Sequence, residues 1–404
     1  MHTQASNTSQ LVSTVANDRK SCKMRIEPAL MACSGGIPQL SHRLIDSLAF
    51  RFTTKAFRAF PKALTTSFPV RSTRQAFHKV LTCASDDDVF TWDDVVRISK
   101  PETLPDDPSD LRGYWEKIKI CNRRLESQSE FLSFVIEDQI VGYIHKGFAE
   151  NLRSFKDVFT FPPENSDSNG SSITLHSSLN TDEDRTRAVG DVIKSLGEEH
   201  IPGIRNELYP VTSSFGASIF FSLERAAAPY FGIKAYGVQM NGYVEKDGKK
   251  FLWIGKRSQQ KTTYPGMLDQ LVAGGLPHGV ACGDNVVKEC EEEAGIPSSI
   301  SSVAIPVGAV SYMDIDGYRF KRDVLFCYDL KLPESFTPKN QDGEVESFKL
   351  IPVMDVANII QRTQFFKPNC SLVIIDFLFR HGYIRPECFG YLDLLQSLRS
   401  GDCS

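Results

Sequence analysis

The sequence predicts an α/β fold in which a mixed sheet lies between helices, preceded by a smaller α+β domain. Three observations carry this. Two β-rich stretches in KAYGVQMNGYVEKDGKKFLWIGKRS flank Asp247-Gly248, a strong hairpin signature. VAIPVGAVSYM and YRFKRDVLFCYDLKL form a second hairpin across a turn at 314–317. Between the hairpins a glycine-rich stretch runs into a helical pattern at 284–294, and an apolar helix at 371–379 closes the domain.

The chain has 404 residues, enough for two ordinary domains and a tail. Residues 1–85 carry 12 Lys and Arg against 3 Asp and Glu. Such a basic, Ser- and Thr-rich, acid-poor segment has the composition of an organellar transit peptide, chloroplast first and mitochondrion second. A disordered, non-targeting tail is the alternative. The net charge of −4 leaves about −13 for residues 86–404. An acidic folded part argues against nucleic acid as a partner. No stretch of about 18 apolar residues occurs, so no membrane span is expected. Ten cysteines without a CxxC pair speak against a disulfide framework and against structural zinc.

Residues 86–228 read as the companion α+β domain and 229–404 as the second domain. FLSFVIEDQIVGYIH (131–145) is two apolar runs around Glu-Asp-Gln, a hairpin. PPENSDSNGSS is a loop by composition. Val189, Ile193 and Leu196 fall at helical spacing in a helix over 182–199, and 218–229 reads as another. FKLIPV is a further strand and 355–362 a short helix. Asn369 is the expected N-cap of the helix at 371–379.

The chemistry concentrates in AGGLPHGVACGDNVVKECEEEAGI. Gly295 sits where a helix-ending residue belongs. In a helix over 284–294, Glu289, Glu292 and Glu293 are spaced i, i+3 and i+4 and share one face. Glu291 leaves that face, and Val287, Cys290 and Ala294 form the opposing apolar stripe. At roughly 6 Å and an effective dielectric near 20, each carboxylate pair repels by about 2–3 kcal/mol. In a cleft such a cluster calls for a divalent cation, and hard oxygen donors favour Mg²⁺ or Mn²⁺. Gly274, Gly275 and Gly279 permit a loop that approaches the helix closely, with a backbone carbonyl near 273–274 free to join the metal shell.

Gly274 with KECEEEAGI resembles the Nudix box, G-x5-E-x7-R-E-U-x-E-E-x-G-U, with matching spacing throughout. Val280 replaces the first Glu, Lys288 replaces Arg, and Cys290 replaces an aliphatic residue. Lys288 keeps the charge that orients the glutamates but lacks the bidentate fork. FVIEDQIVGYI, YGVQMNGYV, DGEVESFKL and FKPNCSLVIIDFLFRHGYI extend the resemblance to a subgroup related to thiamine pyrophosphokinase, with a companion N-terminal domain and plant chloroplastic members. The resemblance implies a Nudix α/β/α sandwich that hydrolyses diphosphates to monophosphates, with thiamine diphosphate and its damaged oxy- and oxo- forms as substrates.

On that reading Glu289, Glu292 and Glu293 bind Mg²⁺ or Mn²⁺, and Glu289 binds metal or takes a proton from water. Glu293 and Lys288 complete the catalytic set. Glu344 closes the metal site, with Glu346 second; alternation puts both on the same side of a strand and leaves the two open. Gly274, Gly275, Lys256 and Arg257 are expected at the phosphates, with Arg319 and Arg322 weaker candidates. Trp253, Tyr243 and Tyr312 are the aromatics available to stack on a substrate ring. Cys290 reads as packing, His278 in the glycine loop as a surface histidine with phosphate contact the alternative, and His381 as structural. A small-molecule diphosphate is the expected partner, and a homodimer is possible. ADP-ribose, nucleotide sugars and coenzyme A derivatives are alternative substrates. An isoprenoid diphosphate isomerase would need a cysteine that is missing between Cys121 and Cys282. A catalytically silent Nudix binding module would have lost box glutamates that this chain keeps.

Overall fold

A computed structural model describes residues 90–100, 109–163 and 172–403. The transit-peptide expectation and most of the loop PPENSDSNGSS lie outside them.

Local chemistry sets the companion domain. Strands β1 (Phe131–Ile136) and β2 (Gln139–His145) form the expected hairpin. Its turn residues Glu137 and Asp138 have φ of 49° and 62°, the left-handed pair that suits the twist of a two-residue turn. Helix α3 (Lys146–Leu152), β3 (Phe159–Thr160) and β4 (Ser172–Leu175) follow, giving a sheet ordered β2-β1-β4-β3. Helix α4 (Asp182–His200) begins at Thr181, whose side chain accepts from the Asp184 amide at 3.1 Å. It buries Val189, Val192 and Ile193 against Phe134, Phe148 and Phe231.

The helix expected over 218–229 is not formed. Strand β5 (Leu208–Val211) pairs antiparallel with β6 (Phe221–Glu224). Phe221 and Leu223 are fully buried in the companion core, whereas Ser222 Oγ meets His278 Nδ1 and Glu224 Oε1 accepts from the Arg205 amide. That period of two belongs to a strand. Only the single turn α5 (Ala228–Phe231) is α-helical.

The main sheet contains β7 (Lys234–Lys246), β8 (Lys249–Arg257), β11 (Ile305–Asp316), β12 (Arg319–Lys331) and β13 (Val345–Pro352), in the order β11-β12-β7-β8-β13. β12 runs parallel to β7 and the other neighbours are antiparallel, so the sheet is mixed as expected. Asp247 and Gly248 again supply positive φ at the β7–β8 turn. Short strands β9 (Leu268–Asp269) and β10 (Val272–Gly275) pair with β8 and β7.

Helix α6 (Cys282–Ala294) packs on Val238, Met240 and Val272. The other face is covered by α8 (Val353–Arg362) and α9 (Pro368–Arg380). Two helices from the N-terminal part, α1 (Trp92–Ser99) and α2 (Arg112–Cys121), share that second core through Val95, Tyr114 and Ile118. The boundary placed at 228 therefore does not divide the packing, because 90–121 turn back onto the later helices. Asn369 is not the cap of α9. Pro368 starts the helix, where a missing N–H costs nothing, and Asn369 lies in its first turn. After α7 (Ser298–Ser301) and α9, a last helix α10 (Tyr391–Ser397) leads to the C-terminal segment.

Candidate active site

The glycines and the acidic helix meet where β10 ends. A side chain at Gly274 would place its Cβ 2.5 Å from Glu289 Oε1, so only glycine lets that carboxylate lie against the strand. Gly279 turns the connecting loop with φ of 80°. Asn285 Nδ2 donates to the Gly275 carbonyl at 2.8 Å and ties α6 to the strand. Gly295 ends the helix with φ of 61°, as expected. The buried stripe is Val286, Cys290 and Ala294, not Val287, which is half exposed. Val286 and Cys290 are four apart, one turn over the sheet.

Glu289, Glu292, Glu293 and Glu344 all line one cavity of about 1350 Å³. Glu293 is 8% exposed, and its Oε2 accepts from the Ala273 amide at 2.9 Å. Burial pushes its carboxyl well above the usual range, and Asp269, Glu289 and Glu344 add repulsion. Glu289 is raised too, first by burial, although Lys288 opposes the shift. Lys288 lies 2.5 Å from Glu292 and 3.6 Å from Glu289, bridging the two. Glu291 is exposed and outside the cavity. Among the described residues no three acidic, His or Cys groups converge as a ready-made ligand cluster.

Glu344 and Glu346 part company. Glu344 pairs with Lys261 at the cavity wall, whereas Glu346 is outside the cavity and pairs with Lys256 at 3.1 Å. The register of β13 on β8 shifts between Val345 and Ser347, and this bulge breaks the alternation that would have aligned them.

Residues 236–369 match the NUDIX domain, and 113–235 match a domain of unknown function, DUF4743. The chain is 68% identical over 318 residues to Nudix hydrolase 20, chloroplastic, of Arabidopsis thaliana, covering 78% of this chain and 84% of that one. It belongs to the Nudix hydrolase family. Nudix hydrolase 24, chloroplastic, of the same plant is 64% identical over 316 residues, 78% and 85% of the two chains. An uncharacterized protein of Saccharomyces cerevisiae is 41% identical over 201 residues, 46% of this chain and 58% of that one. This Nudix hydrolase is chloroplastic, as its plant relatives are named. The family hydrolyses diphosphates and works with divalent metal ions. Among the described residues no helix is long and apolar enough to cross a membrane.

Several residues expected at the substrate stand elsewhere in this Nudix hydrolase. Trp253 packs on the core under α6 and does not reach the cavity. Lys256 is buried between Glu346 and the Phe90 ring, also outside it. Tyr243 meets the rings of Phe377 and His381 edge-on, and His381 pairs with Asp329. Arg257 does line the cavity, but each of its three nitrogens already donates, to Tyr264 O, Asp269 Oδ2 and Thr263 O. Arg319 and Arg322 line it too, paired with Asp316 and Asp402. His278 meets Ser222. Tyr312 is the one expected aromatic at the cavity. Its hydroxyl donates to Asp323 and accepts from Asn369 Nδ2 at 3.2 Å. Sequence reading missed Asp323, Asn369 and the companion-domain residues Tyr209 and Arg225, all on the wall. Glu344→Gln should lower kcat about 10-fold and Glu346→Gln less than about 2-fold, in steady-state phosphate release. Equal losses would remove Glu344's special place.

Proposed function

We propose that this Nudix hydrolase converts an organic diphosphate to its monophosphate with Mg²⁺ or Mn²⁺, and that thiamine diphosphate and its oxy- and oxo- forms are its substrates. The observation that carries the reaction is that Glu289, Glu292, Glu293 and Glu344 all line one cavity, with Glu289 against a glycine strand. As a donor set they fit the metal: four hard carboxylates, two raised by burial and in need of positive charge. These glutamates, with the carbonyl near 273–274, would hold the ions. When bound, the metal supplies Lewis-acid polarisation of the phosphoryl oxygens and a more acidic water.

The chain's own residues supply the rest. Glu289 takes the proton of the attacking water as its oxygen bonds to phosphorus and the bridging P–O bond breaks. Lys288 keeps Glu289 and Glu292 oriented. Glu293, fixed by the Ala273 amide, cannot swing away from the strand. The thiamine reading is supported by the subgroup resemblance carried by segments between about 131 and 384. It is supported also by the wall of Tyr312, Asp323 and Asn369, which offers acceptors to a ring amino group.

The test is phosphate release by the purified mature protein with Mg²⁺ and with Mn²⁺. The panel holds thiamine diphosphate, its oxy- and oxo- analogues, ADP-ribose, nucleotide sugars and coenzyme A. The thiamine compounds should give the highest kcat/KM. Turnover of ADP-ribose or a nucleotide sugar alone would discard the thiamine assignment and keep the reaction. Turnover of nothing on the panel, with or without metal, would discard both.

A further inference from the structure

Beside the carboxylates the cavity wall is built by the companion domain, whose contribution no family resemblance assigns. Strands β5 and β6 dock directly on the loop between β10 and α6. The His278 amide donates to the Leu208 carbonyl at 3.1 Å, and His278 Nδ1 meets Ser222 Oγ. Both contacts fall in the Nudix loop itself. The Tyr209 hydroxyl occupies the space that a side chain at Gly275 would fill. Arg225 follows β6, and its Cζ lies 3.3 Å from the same Cβ position.

Arg225 is held from three sides. Its amide donates to the Glu207 carbonyl at 2.8 Å, its Nη1 donates to Glu207 Oε2 at 2.7 Å, and its guanidinium stacks on Tyr209 with Cζ 5.4 Å from the ring centre. Its Nε and Nη2 have no hydrogen-bond partner among the described residues, although the side chain lines the cavity. Four other cations on the cavity wall are committed. Lys288 serves Glu292, Lys261 serves Glu344, Lys367 serves Asp269, and Arg257 spends all three nitrogens. A planar guanidinium with two nitrogens still to donate, fixed beside a glycine strand, has the geometry for a phosphate's paired oxygens.

We propose that the companion domain completes the active site by delivering Arg225, positioned by Glu207 and Tyr209, to bind a phosphate of the substrate at the Gly274–Gly275 strand end. This rests on the diphosphatase reading for its substrate, but not for its binding chemistry. It gives the domain of unknown function a role: the Nudix domain holds the acidic half of the site and the companion domain brings a cationic half.

The experiment uses the full mature chain and methylenediphosphonate, a diphosphate mimic that cannot be hydrolysed, titrated calorimetrically in Mg²⁺ buffer. Arg225→Gln should weaken its binding roughly 10- to 100-fold, the range for a lost charged hydrogen-bond pair. It should lower kcat/KM by a similar factor. Arg225→Lys should recover only part of the affinity, because a point charge lacks the fork. Glu207→Gln should raise KM more than it lowers kcat, since it loosens the guanidinium without removing it. If Arg225→Gln unfolds, Arg225→Lys and Tyr209→Phe carry the same comparison. Unchanged affinity in folded Arg225 variants overturns the proposal, even where wild-type turnover upholds the diphosphatase reading. Arg225-dependent binding in a protein that cleaves no diphosphate would sustain it and sink that reading.

Discussion

Glu293→Gln should reduce phosphate release by roughly 10³-fold or more, at the upper end of what a positioned catalytic carboxylate contributes. Glutamine keeps the size and can still accept from the Ala273 amide, so the fold should survive and the loss should fall on kcat. A second consequence follows from burial. The Glu293 carboxyl is raised well above its usual 4.5, and Glu289 is raised too, first by desolvation and then by neighbouring carboxylates. A carboxyl whose affinity for protons rises on folding contributes stability below its unfolded value and loses it as pH climbs through the folded one. Metal-free protein should therefore melt at progressively lower temperature as pH rises above about 4.5, and Mg²⁺ or Mn²⁺ should restore the loss. Glu293→Gln should flatten that profile and melt higher than wild type at pH 8 without metal. Calorimetric scans between pH 5 and pH 8 read this. A wild-type profile already flat, and indifferent to metal, would remove Glu293 from the metal site.

What could be read in the sequence was what is local. The glycines before α6, the i, i+3, i+4 carboxylates and the helix-ending Gly295 each act within a few residues, and they stand as expected. Here the strand–helix link runs through Asn285 to the Gly275 carbonyl. Reading failed where geometry is set by a partner strand or a distant element. Alternation could not separate Glu344 from Glu346, because a bulge on β13 is not written in either residue. Lys256 and Arg257 looked like phosphate ligands at a strand end, but a neighbouring loop and Asp269 had claimed Arg257. Phe221–Glu224 carried a period of two that four residues express weakly beside the helix-forming alanines that follow. Arg225 could not have been found at all. It belongs to no motif, and its meaning comes from the loop of another domain.

Asp376→Ala should cost about 3 kcal/mol of stability, the low end of the range for removing one partner of a buried ion pair. Asp376 interrupts an otherwise apolar run in α9 and is 1% exposed. Its two oxygens divide between Arg380 Nε and Arg399 Nη2, each at 2.7 Å. Arg380 belongs to the same helix and keeps Asp329 if Asp376 is lost. Arg399 is different, because it follows α10 and begins the segment that closes over β11. The Ser311 amide donates to the Leu398 carbonyl at 2.9 Å, and Arg399 bridges Ser311. Farther along, Asp402 pairs with Lys234 and Arg322. Asp376 is therefore the inner anchor of a C-terminal strap across the edge of the main sheet. The two arginines are partly exposed and can be rehydrated, which keeps the cost near the lower bound. The urea midpoint of the main-sheet transition should fall in Asp376→Ala, and amide exchange should accelerate first at 398–403 and along β11. Asp376→Asn should fall between, since an amide oxygen can still accept from one arginine. A midpoint unmoved by Asp376→Ala, or exchange that accelerates everywhere alike, would show that the strap is held by its backbone bonds and not by this carboxylate.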